Sequence, residues 1–173
     1  MRKLIFVCAL LLSCAFMASA QNNRAFQKGY QGNFEIGNYF VTVEDMTGVA
    51  YQLSTTQGFR SGNGMYYGLG LGLSYNVWQN NFIVPLFLEA KYNFIDAKAS
   101  PFMALRAGAH VGEDLAIPFM NVSTGVDLDR FAFRFGYEVG SASCGVYSPT
   151  NHRFSGYTHE KHQRVFCSIA FKF

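Results

Sequence analysis

Charge is scarce in this sequence: Asp, Glu, Lys and Arg make up only 14% of its 173 residues. Soluble domains usually carry more, about 25%, so the composition does not predict an ordinary water-exposed surface. The 14 Lys and Arg are nearly matched by 11 Asp and Glu, and Arg2 and Lys3 belong to the export signal described below. A nearly neutral chain gives no reason to expect a nucleic-acid partner.

Long apolar runs are also missing, because none reaches the roughly 20 residues that a membrane-spanning helix needs. The run Leu4–Leu12 is short, follows two basic residues and precedes the small residues Ala18-Ser19-Ala20. That order is typical of a secretory signal peptide. We therefore predict that residues 1–20 are cleaved off and that residues 21–173 form one mature domain.

Cysteine is sparse as well. Two of the four cysteines, Cys8 and Cys14, lie in the predicted signal. Lipidation at Cys14, in Leu11-Leu12-Ser13-Cys14, remains an alternative to cleavage after Ala20. Cys144 and Cys167 are too few for a disulfide scaffold, and the strand alignment below separates them by several residues.

Aromatic residues and glycine are abundant, with 18 Phe, 10 Tyr and 17 Gly, and their spacing has a period of two. In Met65–Tyr75, large apolar residues alternate with glycine and polar residues, which predicts a strand with one apolar face. These glycines lack the G-x-G-x-x-G spacing of a dinucleotide-binding loop, and no helical pattern follows them. We interpret them as positions that leave room inside a narrow barrel.

The same alternation predicts eight strands of about 9–11 residues, the length that crosses a bilayer at a tilt. They lie near residues 30–40, 48–58, 65–75, 84–93, 102–111, 118–127, 131–139 and 164–173. The predicted fold class is all-β, an antiparallel up-and-down transmembrane β-barrel, because closure removes edges that lipid cannot satisfy. Pro85 and Pro118 each remove a ladder hydrogen bond, so we expect them near the outer rim, where bulges are tolerated.

Loop lengths predict an orientation. The joints near 59–64, 95–100 and 128–130 are short, as periplasmic turns are, whereas the joint at 141–163 is long, as extracellular loops are. Both termini would then be periplasmic. Aromatic residues near the strand ends would form two interfacial belts, with Phe94, Phe131, Phe133, Phe171 and Phe173 in one and Phe40, Trp78 and Phe82 in the other.

Several segments resemble small outer-membrane proteins with a β-barrel domain, distantly similar to the transmembrane domain of OmpA. They are Tyr66-Tyr67-Gly68-Leu69-Gly70-Leu71-Gly72, Pro85-Leu86-Phe87-Leu88-Glu89-Ala90-Lys91-Tyr92, Ser100-Pro101-Phe102 and the terminal Phe173. The resemblance extends over nearly all of the mature chain and implies a bacterial outer-membrane location. It also implies outer-membrane lipid as a partner, and recognition of Phe173 by the barrel-assembly machinery.

Charged residues of the inward-facing parity form the first candidate site, a polar network inside the barrel. They are Glu35, Glu89, Lys91, Arg106, Asp127, Arg134, Glu138 and Lys172. If the fourth turn is centred on Ala97–Lys98, Glu89 faces Arg106, and facing opposite charges stabilise each other. The network would form a salt-bridged plug or the gate of a narrow pore, and the small interior of an eight-stranded barrel favours the plug.

The predicted loop 141–163 is the second candidate site, either an extracellular contact element or a merely solvated loop. Residues that could bind lipopolysaccharide phosphates are His152, Arg153, His159, Lys161 and His162, with Arg164 beside them. His159 and His162 lack a strong third ligand, so no metal site is predicted.

Four functions follow from these patterns. The first is a structural or surface-interaction protein of the outer membrane, and the second is a small channel. The third, a soluble lipocalin-like barrel for an apolar ligand, predicts the reverse alternation, with apolar residues inside. The fourth, a lipid-modifying enzyme, would need a triad such as His152, Ser155 and Glu160, whose closeness in sequence gives no preset geometry. We predict no enzyme activity and no cofactor.

Overall fold

The computed structural model describes residues 26–43, 46–77, 80–112, 116–148 and 153–173, without the side chains of residues 41–47, 142–148 and 153–162. The predicted signal peptide lies outside the described residues, as do Trp78 and His152. Among the described residues, no helix has the length and apolar character needed to cross a membrane.

Eight strands follow one another along the chain. They are β1 (Gly29–Val43), β2 (Met46–Arg60), β3 (Met65–Asn76), β4 (Asn81–Asn93), β5 (Ala99–Val111), β6 (Ala116–Leu128), β7 (Phe131–Ser148) and β8 (Arg153–Lys172). Each strand pairs antiparallel with the next, and β1 pairs with β8 to close the barrel. The predicted up-and-down eight-stranded barrel is therefore confirmed, although its strands are longer than predicted.

The pairing of β1 with β8 continues one residue beyond the end of β8, through backbone groups of Phe173. The amide of Gly32 donates to the carbonyl of Phe173, and the amide of Phe173 donates to the carbonyl of Gly32, both at 2.9 Å. These two bonds continue the β1–β8 ladder, in which Asn33 lies opposite Lys172. The seam is therefore hydrogen-bonded from Gly32 to Val43 of β1.

The alternation seen in the sequence sorts the side chains between two walls. On the inner wall, charged, amide, hydroxyl and aromatic side chains are buried, whereas the outer wall exposes large apolar side chains. In β4, for example, Glu89 is 2% exposed and Leu88 is 61% exposed. This is the reverse of the arrangement that a soluble ligand-binding barrel requires.

Three short turns lie at one end of the barrel, the turn end, at residues 61–64, 94–98 and 129–130. Gly62 and Gly64 have φ values of +84° and +86°, which a residue with a Cβ adopts only with strain. Asp129 has φ +40° in the two-residue connection between β6 and β7, a conformation that Asp tolerates better than most residues. The opposite end is called the far end.

Pro85 and Pro118 lie toward the far end, as predicted, whereas a third strand proline, Pro101, lies near the turn end of β5. The β3–β4 ladder runs from Met65–Tyr92 to Leu71–Leu86 and resumes only at Ser74–Ile83, so it is interrupted beside Pro85. Proline has no amide hydrogen to donate, which accounts for the interruption. Pro118 lies near the start of β6, opposite Ala109 of β5.

The prediction of a long loop at 141–163 is wrong. Strands β7 and β8 continue past their other neighbours and pair with each other as far as Ser148 and Arg153, with a register shift between Val146 and Tyr147. We call residues 141–148 and 153–161 the ribbon. Its sequence has few large apolar residues, so it lacks the alternation by which the other strands were recognised.

Candidate functional site

The middle of the barrel interior holds four charged side chains, the central cluster: Glu35, Glu89, Arg106 and Arg134. Arg106 binds Glu35 with both terminal nitrogens, at 3.1 and 2.5 Å, and its Nε donates to Glu89 Oε2 at 2.7 Å. Arg134 Nη2 donates to Glu89 Oε1 at 2.7 Å, and its Nη1 lies 3.6 Å from Glu35 Oε2. Each guanidinium group therefore bridges both carboxylates.

Two different kinds of strand pairing position these groups. Glu89 and Arg106 face each other across β4 and β5, at the register that the sequence predicts. Glu35 lies on β1, which is not a neighbour of β5, so its bond to Arg106 crosses the barrel. The aromatic rings of Phe87 and Phe102 lie beneath the two guanidinium groups, at 4.7 Å from Arg106 and 5.5 Å from Arg134. The network thus ties opposite walls together.

Near the turn end, a second group of buried charges surrounds Asp127. Lys91 Nζ lies 3.0 Å from Asp127 Oδ2, and Asn93 Nδ2 donates to the same oxygen at 2.8 Å. Lys172 Nζ lies 3.7 Å from Asp127 Oδ1. Arg60 is also buried at this end of the inner wall. Arg60, Lys91, Asp127 and Lys172 are called the turn-end cluster.

Near the far end, Glu138 is the centre of a third group, the far-end cluster. His110 Nε2 lies 2.9 Å from Glu138 Oε1, and Arg164 Nη1 lies 3.4 Å from the same oxygen. Asn121 Nδ2 donates to Glu138 Oε2 at 3.4 Å. The His110 ring stacks on Phe119 with ring centroids 4.2 Å apart. His110, Asn121, Glu138 and Arg164 together connect β5, β6, β7 and β8.

Aromatic rings fill the space opposite the inward glycines. A Cβ placed on Gly70 would lie 2.2 Å from the Phe87 ring, and one on Gly136 would lie 2.6 Å from the Phe166 ring. Phe166 also stacks on Tyr39, with ring centroids 4.8 Å apart. The glycines therefore leave the room that the sequence analysis expected, and rings occupy it. Between the charge clusters, this interior is packed as a plug.

The structure buries every predicted member of the interior network: Glu35, Glu89, Lys91, Arg106, Asp127, Arg134, Glu138 and Lys172. Three partners were not assigned to it. Arg60 lies just beyond the predicted end of the second strand, and Arg164 was grouped with the loop. His110 has inward parity but was not joined to Glu138. Extending the period of two through these positions would have found all three.

Six aromatic residues of the two predicted belts are exposed on the outer wall, namely Phe40, Phe82, Phe94, Phe131, Phe133 and Phe171, while Trp78 lies outside the described residues. At the turn end, the rings of Phe131 and Phe171 pack edge to face, with centroids 5.6 Å apart. Toward the far end, Tyr75 and Phe82 pair with centroids 4.9 Å apart. Phe173 lies over Gly32, where an added Cβ would meet the Phe173 ring. Phe173 is thus built into the seam between β1 and β8.

The predicted contact residues lie in or next to the ribbon. Lys161 and His159 occupy alternate positions of β8, opposite Ser141 and Ser143 of β7, and His162 pairs with Val43 at the last β1–β8 position. Arg153 begins β8. The structure does not describe the side chains of residues 153–162, so the proposed triad of His152, Ser155 and Glu160 lies outside what it describes. Among the described residues, no group of three potential metal ligands occurs.

Comparison with known proteins supports the architecture. The fold is similar to the crystal structure of Neisserial surface protein A (NspA), with 12% sequence identity and a TM-score of 0.56, covering 85% of this chain and 99% of that one. The N-terminal β-barrel domain of Pseudomonas aeruginosa OprF aligns with 12% identity and a TM-score of 0.46, covering 85% of this chain and 100% of that one. No protein-family model and no curated protein sequence matches the chain. At such identity, the similarity to NspA shows a shared fold.

Proposed function

We propose that this chain is a bacterial outer-membrane protein with a structural or surface-interaction role. The observation that carries the proposal is the division of the walls: a band of apolar side chains outside, and paired charges buried inside. Leu69 and Leu88 face each other on β3 and β4 and are 66% and 61% exposed. In water a continuous surface of this kind would aggregate, whereas in a bilayer it is solvated by acyl chains.

The ribbon supports the surface-interaction part of the proposal. Ser141–Ser148 of β7 would extend by roughly 27 Å at the usual strand rise, beyond the last β6–β7 pair at Phe119–Gly140. We place the turn end in the periplasm and the ribbon outside, since long connections of such barrels are extracellular. The ribbon would then be the contact element, with Arg153, His159 and Lys161 available to lipopolysaccharide phosphates.

Two further partners follow from this placement. Outer-membrane lipid would surround the apolar band, and the barrel-assembly machinery would recognise Phe173 during insertion. The position of Phe173 on the outer side of the β1–β8 seam supports the second role, because a machinery that guides closure has to contact that seam.

The second candidate function that the structure bears on is a channel. Its polar inner wall is what a channel needs, but the central cluster joins opposite walls, and Tyr66, Phe102 and Phe166 are fully buried. The interior therefore supports a plug. We also propose that the protein is not an enzyme, because the buried charged groups are bonded to one another within a packed core.

The two mature cysteines offer a matched test of location. Cys167 is exposed on the outer wall opposite Phe135, while Cys144 lies in the ribbon opposite Thr158. In intact cells carrying C144S, we expect Cys167 to resist a charged, membrane-impermeant maleimide until the protein is unfolded. In cells carrying C167S, we expect Cys144 to react. Equal and rapid labelling of both cysteines in intact cells would contradict the proposal.

A gel of the detergent-extracted outer-membrane fraction, run unboiled and boiled, tests the barrel in its membrane independently. A mobility shift found only in that fraction is expected. Protein that remains soluble without detergent would overturn the membrane location and favour the lipocalin-like alternative.

A further inference from the structure

We propose that a groove on the outer wall holds an acyl chain of one zwitterionic phospholipid, whose headgroup lies at the adjacent turn end. The inference rests on the membrane location proposed above and adds a single lipid site to it. The groove, called the wall groove, is open and has a volume of about 1020 Å³, at the upper end of the roughly 300–1,000 Å³ of ligand pockets. It therefore has room for a chain-sized occupant.

The wall groove extends over five neighbouring strands, from β1 through β8, β7 and β6 to β5. The rings that line it belong to β7 and β8, namely Phe131, Phe133, Phe135 and Phe171. Short groups lie beside these rings: the side chains of Thr124 and Cys167, which flank Phe135 across the sheet, and the backbones of Gly37 and Gly125. Long rings next to short groups make this part of the wall concave.

The concave shape favours an acyl chain over a second copy of the barrel. In a two-fold contact, the same patch of both copies meets itself, so two wall grooves would face each other across a void. An acyl chain is thin and flexible and can follow the rings, which gains dispersion contacts along its whole length. Acyl chains are also the solvent of this wall in a bilayer.

Exposed cations at the turn end mark the position of the phosphate. Arg130 directly precedes Phe131, which lines the groove, and is exposed. Lys98 belongs to the adjacent turn, because its carbonyl accepts from the amide of Asp129 at 3.0 Å. Among the described residues, neither Arg130 nor Lys98 has an ion-pair partner. Guanidinium and ammonium groups with free donors bind phosphate through charge-assisted hydrogen bonds.

Two carboxylates in the same turns select a headgroup with charges of both signs. Asp96 and Asp129 balance Lys98 and Arg130, so these turns carry no net formal charge. Asp96 accepts from the amide of Phe26 at 3.1 Å, whereas Asp129 is exposed next to Arg130. A headgroup with a phosphate and an ammonium group matches this mixture, with its phosphate at the cations and its ammonium at Asp129.

The test is native mass spectrometry of the detergent-solubilised barrel, titrated with phosphatidylethanolamine. We expect saturable retention of one lipid per barrel. Cys167→Phe should abolish this retention, because the added ring occupies the floor of the groove. The matched control is Ala107→Phe, which places the same ring on the outer wall opposite Leu88, away from the groove. This control should retain the lipid.

The headgroup is tested separately. Arg130→Gln should weaken retention about fivefold, as the loss of one exposed charge pair does at most. Lys28→Gln removes an equally exposed cation beside Gly62, outside the groove, and should leave retention unchanged. Phosphatidylglycerol, which has a phosphate but no ammonium group, should be retained more weakly than phosphatidylethanolamine.

Equal retention by the unmodified protein and Cys167→Phe would overturn the site, and equal retention of both lipids would overturn the zwitterionic headgroup. A dimer that Cys167→Phe dissociates would place a second copy in the groove instead. If Cys167→Phe shows no gel shift, Thr124→Leu fills the same floor in its place. A barrel that shifts on the gel but retains no lipid refutes this inference alone, whereas protein that is soluble without detergent refutes the proposed function.

Discussion

The inner and outer walls of β4 show opposite chemistry at adjacent residues. Glu89 is buried against Arg106 and Arg134, while Leu88, one position earlier, is exposed beside Leu69. The backbone is the same in both cases, so the difference comes only from which way each side chain points. The barrel therefore depends on two separate conditions: charge balance inside, and an apolar solvent outside. A substitution on one wall can therefore disturb one condition without disturbing the other.

The largest effect is expected from unbalancing the inner wall. Arg106→Met leaves Glu35 and Glu89 with only Arg134, and removing one partner of a buried ion pair costs about 3–5 kcal/mol of stability. Urea titration of the barrel in lipid vesicles measures the loss. In Arg106→Met/Glu35→Gln, one carboxylate again faces one guanidinium group, so we expect part of the stability to return. No recovery would mean that charge balance does not explain the cluster.

The same variant separates a plug from a channel. Conductance of Arg106→Met in planar bilayers should remain at the level of the unmodified protein, because Phe87, Phe102 and Tyr66 still fill the interior. A conductance that rises while the barrel stays folded would instead identify Arg106 as part of a gate.

A somewhat smaller loss of stability is expected when a charged side chain is introduced on the outer wall. Leu88→Arg places a cation in the middle of the apolar band, at a cost of about 2–4 kcal/mol in a bilayer. The matched control is Phe82→Arg, on the same outer wall and equally exposed but at the far end of the same strand, where the cost should be about 0–1 kcal/mol. Equal midpoints for the two variants in vesicles would count against a lipid-facing wall.

Which contacts the sequence predicts depends on how local they are. Glu89 and Arg106 are joined by one short turn, and a hairpin register follows from its turn, so their pairing was predictable. The bonds from Arg106 to Glu35 depend on how the last strand closes on the first, which no local pattern encodes. The ribbon was missed for another reason. Its strands are held together by backbone hydrogen bonds, which any sequence can make, and its sequence lacks the apolar–polar alternation that was used to find the other strands.

Filling an inward glycine should have an intermediate effect. Gly70→Ala places a methyl group against the Phe87 ring, which itself packs on Arg106, and overpacking typically costs about 1–3 kcal/mol. Phe87→Leu should partly compensate in the double variant because it shortens the opposing side chain. Additive losses in a double-mutant cycle of urea midpoints would show that the two positions do not share one space.

The smallest effect on stability is expected from removing the ribbon. In the part of the chain that the structure describes, its strands pair only with each other beyond Gly140 and His162, so replacing residues 142–160 by Asn-Gly should leave the barrel closed. The Ser141–Lys161 pair would then end the hairpin, and Asn-Gly suits a two-residue turn. We expect the unboiled gel shift to persist and the midpoint to change by about 0.5 kcal/mol or less, as for surface changes generally. A barrel that no longer closes would show that the ribbon is needed for assembly, whereas an intact barrel leaves surface contact as its contribution.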